Sequence, residues 1–382
     1  MSHTGEFSGA EAAMLRLLRM LPGDVDRAVA CPPDGPLATA LADQGFEHLP
    51  IAGTAVSFRL HPRWTAVGLR DVGRSVAALR AHVRRWRPDI VHAGTTRAGL
   101  FAAPLRRRRG PKLVVQVHDI MPPGPMGHAV RRLLAGRADT VVAVSEAASR
   151  AFNLGLRHAP ARTVYISIDH ELFRPEGRDA AGARRSLGVP DEAPLLGEVA
   201  QISPWKGQLV AIEALARVRE THPGAHLALV GHIAFGGPAV RYDNAAYLER
   251  LRRRVAELGL EDAVHFAGQR NDVPDVMAAL DLLLLPSWDE PFGTAAAEAM
   301  SVGTVPLVAA GGGMSEFVED GVSGRVLPPR DPEAWARAAV ELLDDPDRRA
   351  EMSARAVEAA GRFTDEAYVS AMMDAYSALA GR

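Results

Sequence analysis

Short apolar runs alternate with amphipathic helical runs along this 382-residue chain, and that alternation limits its folds more than any other feature. Runs rich in Val, Leu and Ile fall at Arg27–Cys31, Asp89–Ala93, Leu113–Val117, Thr140–Val144 and Thr163–Ile166. A second series covers Leu195–Ile202, Ala225–Val230, Ala263–Ala267, Leu282–Leu285, Val305–Val308 and Gly324–Leu327. Helical periodicity fills most of the gaps, as at Gly9–Leu21, Thr65–Trp86, Gln208–Arg219 and Asn244–Leu258. Strands joined through helices run parallel, and a parallel sheet must be covered on both faces, so the pattern predicts an α/β architecture.

The chain is too long for one ordinary core. The series breaks near Phe173–Pro194, where Gly, Pro, Asp and Glu mix around one short helical run. We expect an N-terminal Rossmann-like domain over residues 1–175 and a second over 176–360. The amphipathic segment 361–382 is expected to cross back onto the first. The opening loop, Met1 to Gly9, leads directly into a helix. A doubly wound domain places such a loop after its first, central strand. That strand is therefore expected to be missing, with the native start about 5–10 residues upstream, a strand's typical length, or with something else filling the gap.

Hydrophobic residues make up 47% and charged residues 24%, ordinary for a globular protein. No apolar run approaches the roughly 20 residues that span a bilayer, and no basic-then-apolar leader opens the chain. Cys31 is the single cysteine, so no disulfide within the chain and no cysteine-based zinc site can form. A cytoplasmic location is expected. Of 44 basic residues only Lys112 and Lys206 are lysines, so a lysine here is a specific choice. Residues 1–175 hold 24 Arg/Lys against 14 Asp/Glu, and residues 176–382 hold 20 against 32. The halves have opposite electrostatic character and should face different partners.

The densest chemical signal is Asp289-Glu290-Pro291-Phe292-Gly293-Thr294-Ala295-Ala296-Ala297-Glu298. It follows an apolar strand and opens a helix. Free N–H groups around Gly293 to Ala295 make an anion site, and carboxylates accept hydrogen bonds from sugar hydroxyls. The segment could hold a hexose, a phosphate and a ribose in order, or be an acidic helix N-terminus favoured by the dipole. Ser203-Pro204-Trp205-Lys206-Gly207-Gln208 puts a compact cation at a strand-to-helix junction, suited to a diphosphate. His118-Asp119 ends a strand at the edge where open α/β sheets bind ligands. Gly311-Gly312-Gly313-Met314-Ser315-Glu316 is a further, weaker strand-to-helix turn.

Asp24-Val25-Asp26 and Asp345-Pro346-Asp347 match an Asp-x-Asp metal pattern, but neither follows a strand, and no metal is expected. There is no G-x-G-x-x-G, Walker loop or G-x-S-x-G elbow. Arg106–Arg109 lacks interleaved aromatics, so no nucleic-acid partner is expected.

Together these residues resemble the retaining glycosyltransferases of family 4, with strongest likeness from Glu198 to Pro328. The resemblance implies the GT-B fold: two facing Rossmann-like doubly wound domains with a cleft between them. It implies a metal-independent hexosyltransferase acting on a UDP- or GDP-linked sugar, with no cofactor and a hydroxyl acceptor such as a glycolipid, polysaccharide or small natural product. Glu290 would contact the donor sugar and Glu298 the ribose, with Phe292, Gly293, Thr294 and Ala295 holding sugar and phosphate. Lys206 would bind the diphosphate, His118 would lie near the transferred sugar, and Gly9 would allow the opening loop to approach the phosphates. Phe266 to Arg270 falls where the base is received.

Two positions depart from the family. Gln201 stands where an Arg is usual, and Ser167-Ile168-Asp169 replaces an Asn-Gly before the Asp. A GT-B sugar phosphorylase and a non-catalytic GT-B binding partner are the alternatives. The basic first half is expected to meet an anionic acceptor or, peripherally, the inner face of a membrane.

Overall fold

The computed structural model describes residues 1–53, 62–106, 110–233 and 242–380. The chain divides into two compact units, Met1–Ser167 with Asp365–Arg382, and Ile168–Thr364.

In the first unit the strands are β1 (Ala28–Cys31), β2 (Glu47–Pro50), β3 (Ile90–Ala93), β4 (Lys112–Val117), β5 (Thr140–Ala143) and β6 (Ala161–Thr163). All their pairings are parallel: β1 with β2, and β3-β4-β5-β6 in order. Between β1 and β3 lie Met1 and Ser2. The Ser2 N–H donates to the Ala30 carbonyl at 2.9 Å, Met1 N donates to the His92 carbonyl at 2.6 Å, and the Gly94 N–H donates to Met1 at 3.0 Å. The gap expected in the sheet is thus bridged by these two residues, which satisfy backbone groups on both flanking strands.

The helix Asp365–Ala380 belongs to this unit. Gln116 on β4 donates to the Tyr368 hydroxyl at 3.2 Å, and the His92 ring on β3 meets the Tyr376 hydroxyl at 2.7 Å. Tyr368, Met372 and Ala375 are buried at that seam. A second core cluster joins Met14 and Leu15 of the helix Gly9–Met20 to Val29, Cys31, Leu37 and Leu41.

In the second unit the strands are β7 (Leu195–Val199), β8 (His226–Val230), β9 (Val264–Gly268), β10 (Leu282–Leu285), β11 (Val305–Ala309) and β12 (Arg325–Leu327). They form one parallel sheet in the order β12-β11-β10-β7-β8-β9. Every residue of β10 and β11 is buried, as a strand covered on both faces must be. The winding reverses direction between β7 and β10. In open α/β sheets the ligand crevice lies at that reversal, outside the carboxyl ends of the strands.

Two elements differ from the sequence expectation. β2 has only one aliphatic residue, Leu49, and forms because its backbone extends the sheet beside β1. The run at Thr163–Ile166 pairs earlier, over Ala161–Thr163, because Val141 to Ala143 of β5 face that stretch.

Candidate active site

The C-terminal ends of β7 and β10 carry the two densest motifs, and the fold brings them together. After β7 the chain makes a 3-10 turn, Pro204–Lys206, before the helix Gln208–Thr221. After β10 a loop leads into the helix Thr294–Ser301. Lys206 Nζ donates to Glu290 Oε2 at 2.6 Å, with side chains 14% and 12% exposed. The ammonium also sits 4.1 Å from the centre of the Trp205 ring, a cation–π contact. A charge-assisted bond this short between half-enclosed groups is strong, yet one edge of the pair stays open to solvent.

Backbone contacts fix the geometry. The Trp288 N–H donates to the Trp205 carbonyl at 2.9 Å, tying one loop to the other. The glycine turn after β11 closes from the other side: the Gly313 N–H donates to the Glu290 carbonyl at 2.8 Å. Gly312 has φ of +78°, and a Cβ there would stand 2.4 Å from the Glu290 carbonyl oxygen, so only glycine allows that approach. Gly311 to Gly313, the weakest of the motifs in sequence, is therefore the support on which Glu290 rests.

Gly293 caps the helix Thr294–Ser301 with φ of +93°. On that helix Ala296, Ala297, Ala299 and Met300 are buried, whereas Thr294, Ala295 and Glu298 are half-buried on one face. The first-turn amides and Glu298 thus share a side, an arrangement suited to an anion followed by a hydroxyl-bearing group. Phe292 packs against Phe317 and Phe363, with ring centres 5.3 and 5.1 Å away. Its side chain is core, and only its backbone can serve a ligand. The Gln201 carbonyl accepts from the Gln208 side chain at 3.0 Å, which anchors the loop after β7.

Arg270 lies just beyond β9, the edge strand, separated from β10 by β8 and β7. Its guanidinium is bonded to both oxygens of Asp272, at 2.8 and 2.5 Å, and to the Ser186 hydroxyl at 2.8 Å. The structure does not bring it into the Lys206–Glu290 cluster. The bond from Arg270 holds the Asp272 carboxyl below its ordinary range.

His118 and Gly9 are in the first unit. His118 directly follows β4, and burial lowers its pKa to about 4, so the ring is neutral at pH 7. Its Nε2 is buried with no partner. Gly9 is the exposed first residue of the helix Gly9–Met20, whose start is held by a reciprocal bond between Ser8 and Glu11. Sequence reasoning missed Glu198, a fully buried acid on β7 near Lys206 and Glu290. The available signal was an acid inside the otherwise apolar run Leu195–Val199.

Among the described residues, no group of three or more His, Cys, Asp or Glu side chains could hold a metal ion, and no helix is long and apolar enough to cross a membrane.

Two parallel α/β units with charged groups at the switch point of the second are the architecture that the GT-B resemblance implies. Residues 180–359 match the family model of glycosyl transferases group 1, and residues 7–172 match that of glycosyltransferase family 4. A D-inositol 3-phosphate glycosyltransferase of Acidothermus cellulolyticus is 31% identical over 95% of this chain and 79% of its own length. Another, from Stackebrandtia nassauensis, is 38% identical over 55% of this chain, which spans only 46% of that relative's length. The structure of Anabaena Alr3699/HepE in complex with UDP and glucose superposes with a TM-score of 0.83 at 27% identity, covering 98% and 97% of the two chains. The chain belongs to glycosyltransferase family 4.

Proposed function

We propose that the protein transfers a hexose from a UDP-sugar to a hydroxyl of an anionic acceptor, with retention at the anomeric carbon and without a metal. The observation that carries this reading is the Lys206–Glu290 pair at the switch point between β7 and β10. Lys206 and the amides of Thr294 and Ala295 stabilise the diphosphate as it leaves, an electrostatic effect that is large in an enclosed site. Glu290 binds the donor sugar, Glu298 the ribose, and neutral His118 the hydroxyls of the transferred sugar. Gly9, Gln201, Arg270, Phe292 and Gly293 complete the donor-binding set, the glycines and Phe292 through backbone and Arg270 toward the base.

The C1–O bond to the diphosphate breaks, and its electron pair goes to the diphosphate oxygen. The acceptor oxygen bonds to C1 from the same face and gives its proton to that diphosphate. Positive charge builds on the sugar as negative charge builds on the leaving group, which is why one fixed cation near the phosphates matters.

The UDP in the Anabaena complex supports a uridine donor, and the names of the bacterial relatives support a phosphorylated cyclitol acceptor. The excess of arginine in the first half fits an anionic acceptor. A peripheral contact with an anionic cytoplasmic membrane face is the second reading. It is favoured by exposed Arg70, Arg74, Arg80, Arg84 and Arg85 along the helix Pro62–Trp86. Of the Arg106–Arg109 run, Arg106 pairs with Asp139 at 2.8 Å, and residues 107–109 lie outside the described residues.

The test is UDP release from UDP-hexoses, measured with and without inositol 3-phosphate and in the presence of a chelator. Acceptor-dependent release that survives chelation supports the proposal. Activity with a sugar 1-phosphate and no nucleotide would favour a phosphorylase.

A further inference from the structure

A third ionisable group interacts electrostatically with the Lys206–Glu290 pair. Glu198 is 1% exposed, at the register position facing Leu229 of β8. Both of its carboxyl oxygens are buried and have no hydrogen-bond partner. Three titratable groups surround it. Lys206 comes from the turn after β7, Glu290 from the loop after β10, and Tyr247 from the helix Asn244–Glu257. The Tyr247 hydroxyl accepts from the Leu209 N–H at 3.3 Å, and burial raises its pKa, so it contributes no charge. The cluster therefore holds two carboxyls and one cation, and that cation already bonds Glu290.

An ionised carboxylate with no hydrogen bonds is among the costliest groups to bury, whereas the neutral acid is far cheaper. Burial accordingly drives the Glu198 carboxyl well above the ordinary range; Lys206 opposes this and Glu290 reinforces it. The protonated form of the carboxyl is thereby favoured.

We propose that Glu198 is a positioning residue for the donor site that acts through Lys206. Protonated, it leaves the ammonium available to a diphosphate. Ionised, it competes with the diphosphate for the same ammonium and repels the phosphates. The proposal rests on reading Lys206 as the diphosphate cation, and its signature is a loss of nucleotide affinity on the alkaline side that belongs to Glu198.

The experiment is calorimetric titration of UDP into the full-length protein at about pH 7 and about pH 9, with Glu198→Gln, Glu198→Met and Lys206→Ala alongside. A new charge beside the ammonium in a half-enclosed site should weaken UDP binding by about tenfold across that interval in the wild type. The same interval should change affinity less than about twofold in Glu198→Gln, which keeps the shape of the neutral acid. Glu198→Met carries the same comparison if the glutamine variant does not fold. Parallel losses in the wild type and both variants would overturn the role of Glu198 while leaving Lys206 in place. Equal UDP affinity in the wild type and Lys206→Ala at pH 7 would overturn the donor reading itself, and this proposal with it.

Discussion

The ammonium of Lys206 and the carboxylate of Glu290 meet at 2.6 Å although 84 positions separate them in the chain. One follows β7 and the other follows β10, and these strands are neighbours because the winding reverses between them. On the proposed reading, a bound diphosphate draws Lys206 away from this partner and frees Glu290 for the sugar. Lys206→Ala should lower transfer by about 100-fold, a loss on the order of 3 kcal/mol in the transition state. Lys206→Arg should restore only part of it, since a planar fork does not reproduce a point charge. Steady-state kinetics on the two variants check this. Activity within twofold of wild type in Lys206→Ala would remove Lys206 from the mechanism.

Glu290→Gln and Glu298→Gln should separate kinetically. On the proposed roles Glu290 contacts the reacting sugar, so its loss should fall mainly on kcat. Glu298, on the half-buried face of the helix Thr294–Ser301, should bind an unreactive ribose, so its loss should raise the donor KM. The reverse pattern would exchange the two roles.

The glycine turn after β11 offers a test of the support for Glu290. Gly311 and Gly312 both have left-handed φ, at +87° and +78°, but a Cβ at Gly311 meets nothing within 4 Å. Gly311→Ala should cost only the backbone strain, about 1 kcal/mol. Gly312→Ala adds a clash with the Glu290 carbonyl and should cost more, with a lower Tm and a larger loss of turnover. Equal effects of the two substitutions would show that the close approach is not needed.

His118 should not titrate near neutrality. Its folded pKa of about 4 lies below the ordinary histidine value of 6.5 that an unfolded chain would show, so between these values only the unfolded chain binds the proton. The stability it contributes is complete above about pH 6.5 and declines as the pH falls toward 4. His118→Gln should remove that part of the acid-side decline in Tm. A decline identical to wild type would place the acid sensitivity elsewhere.

Much of the fold was legible because period and length mark buried strands and covering helices without ambiguity. β10 reads as Leu282 to Leu285 and is buried throughout. What escaped was structure held by backbone pairing alone. β2 has little apolar character, and Met1 and Ser2 have no strand pattern, yet β2 and Ser2 pair with β1 and Met1 pairs on the β3 side. In the site, Lys206, Glu290 and the first turn after Gly293 were readable because each stands at a strand-to-helix junction. The engagement of Arg270 with Ser186 was not, since it depends on a helix about 84 residues earlier in the chain. Glu198 was passed over because an acid inside an apolar strand has no motif. Its meaning comes only from its burial and from the charges of Lys206 and Glu290 that act on it.

On the proposed function this chain moves a sugar from a UDP-sugar by way of the cluster at the ends of β7 and β10. The most direct measurement follows the anomeric proton of the product by NMR during turnover of UDP-glucose with inositol 3-phosphate, in the wild type and in Lys206→Ala. An α-linked product should appear together with UDP in the wild type and about 100-fold more slowly in the variant. A β-linked product, or one formed at the same rate by both proteins, would contradict it.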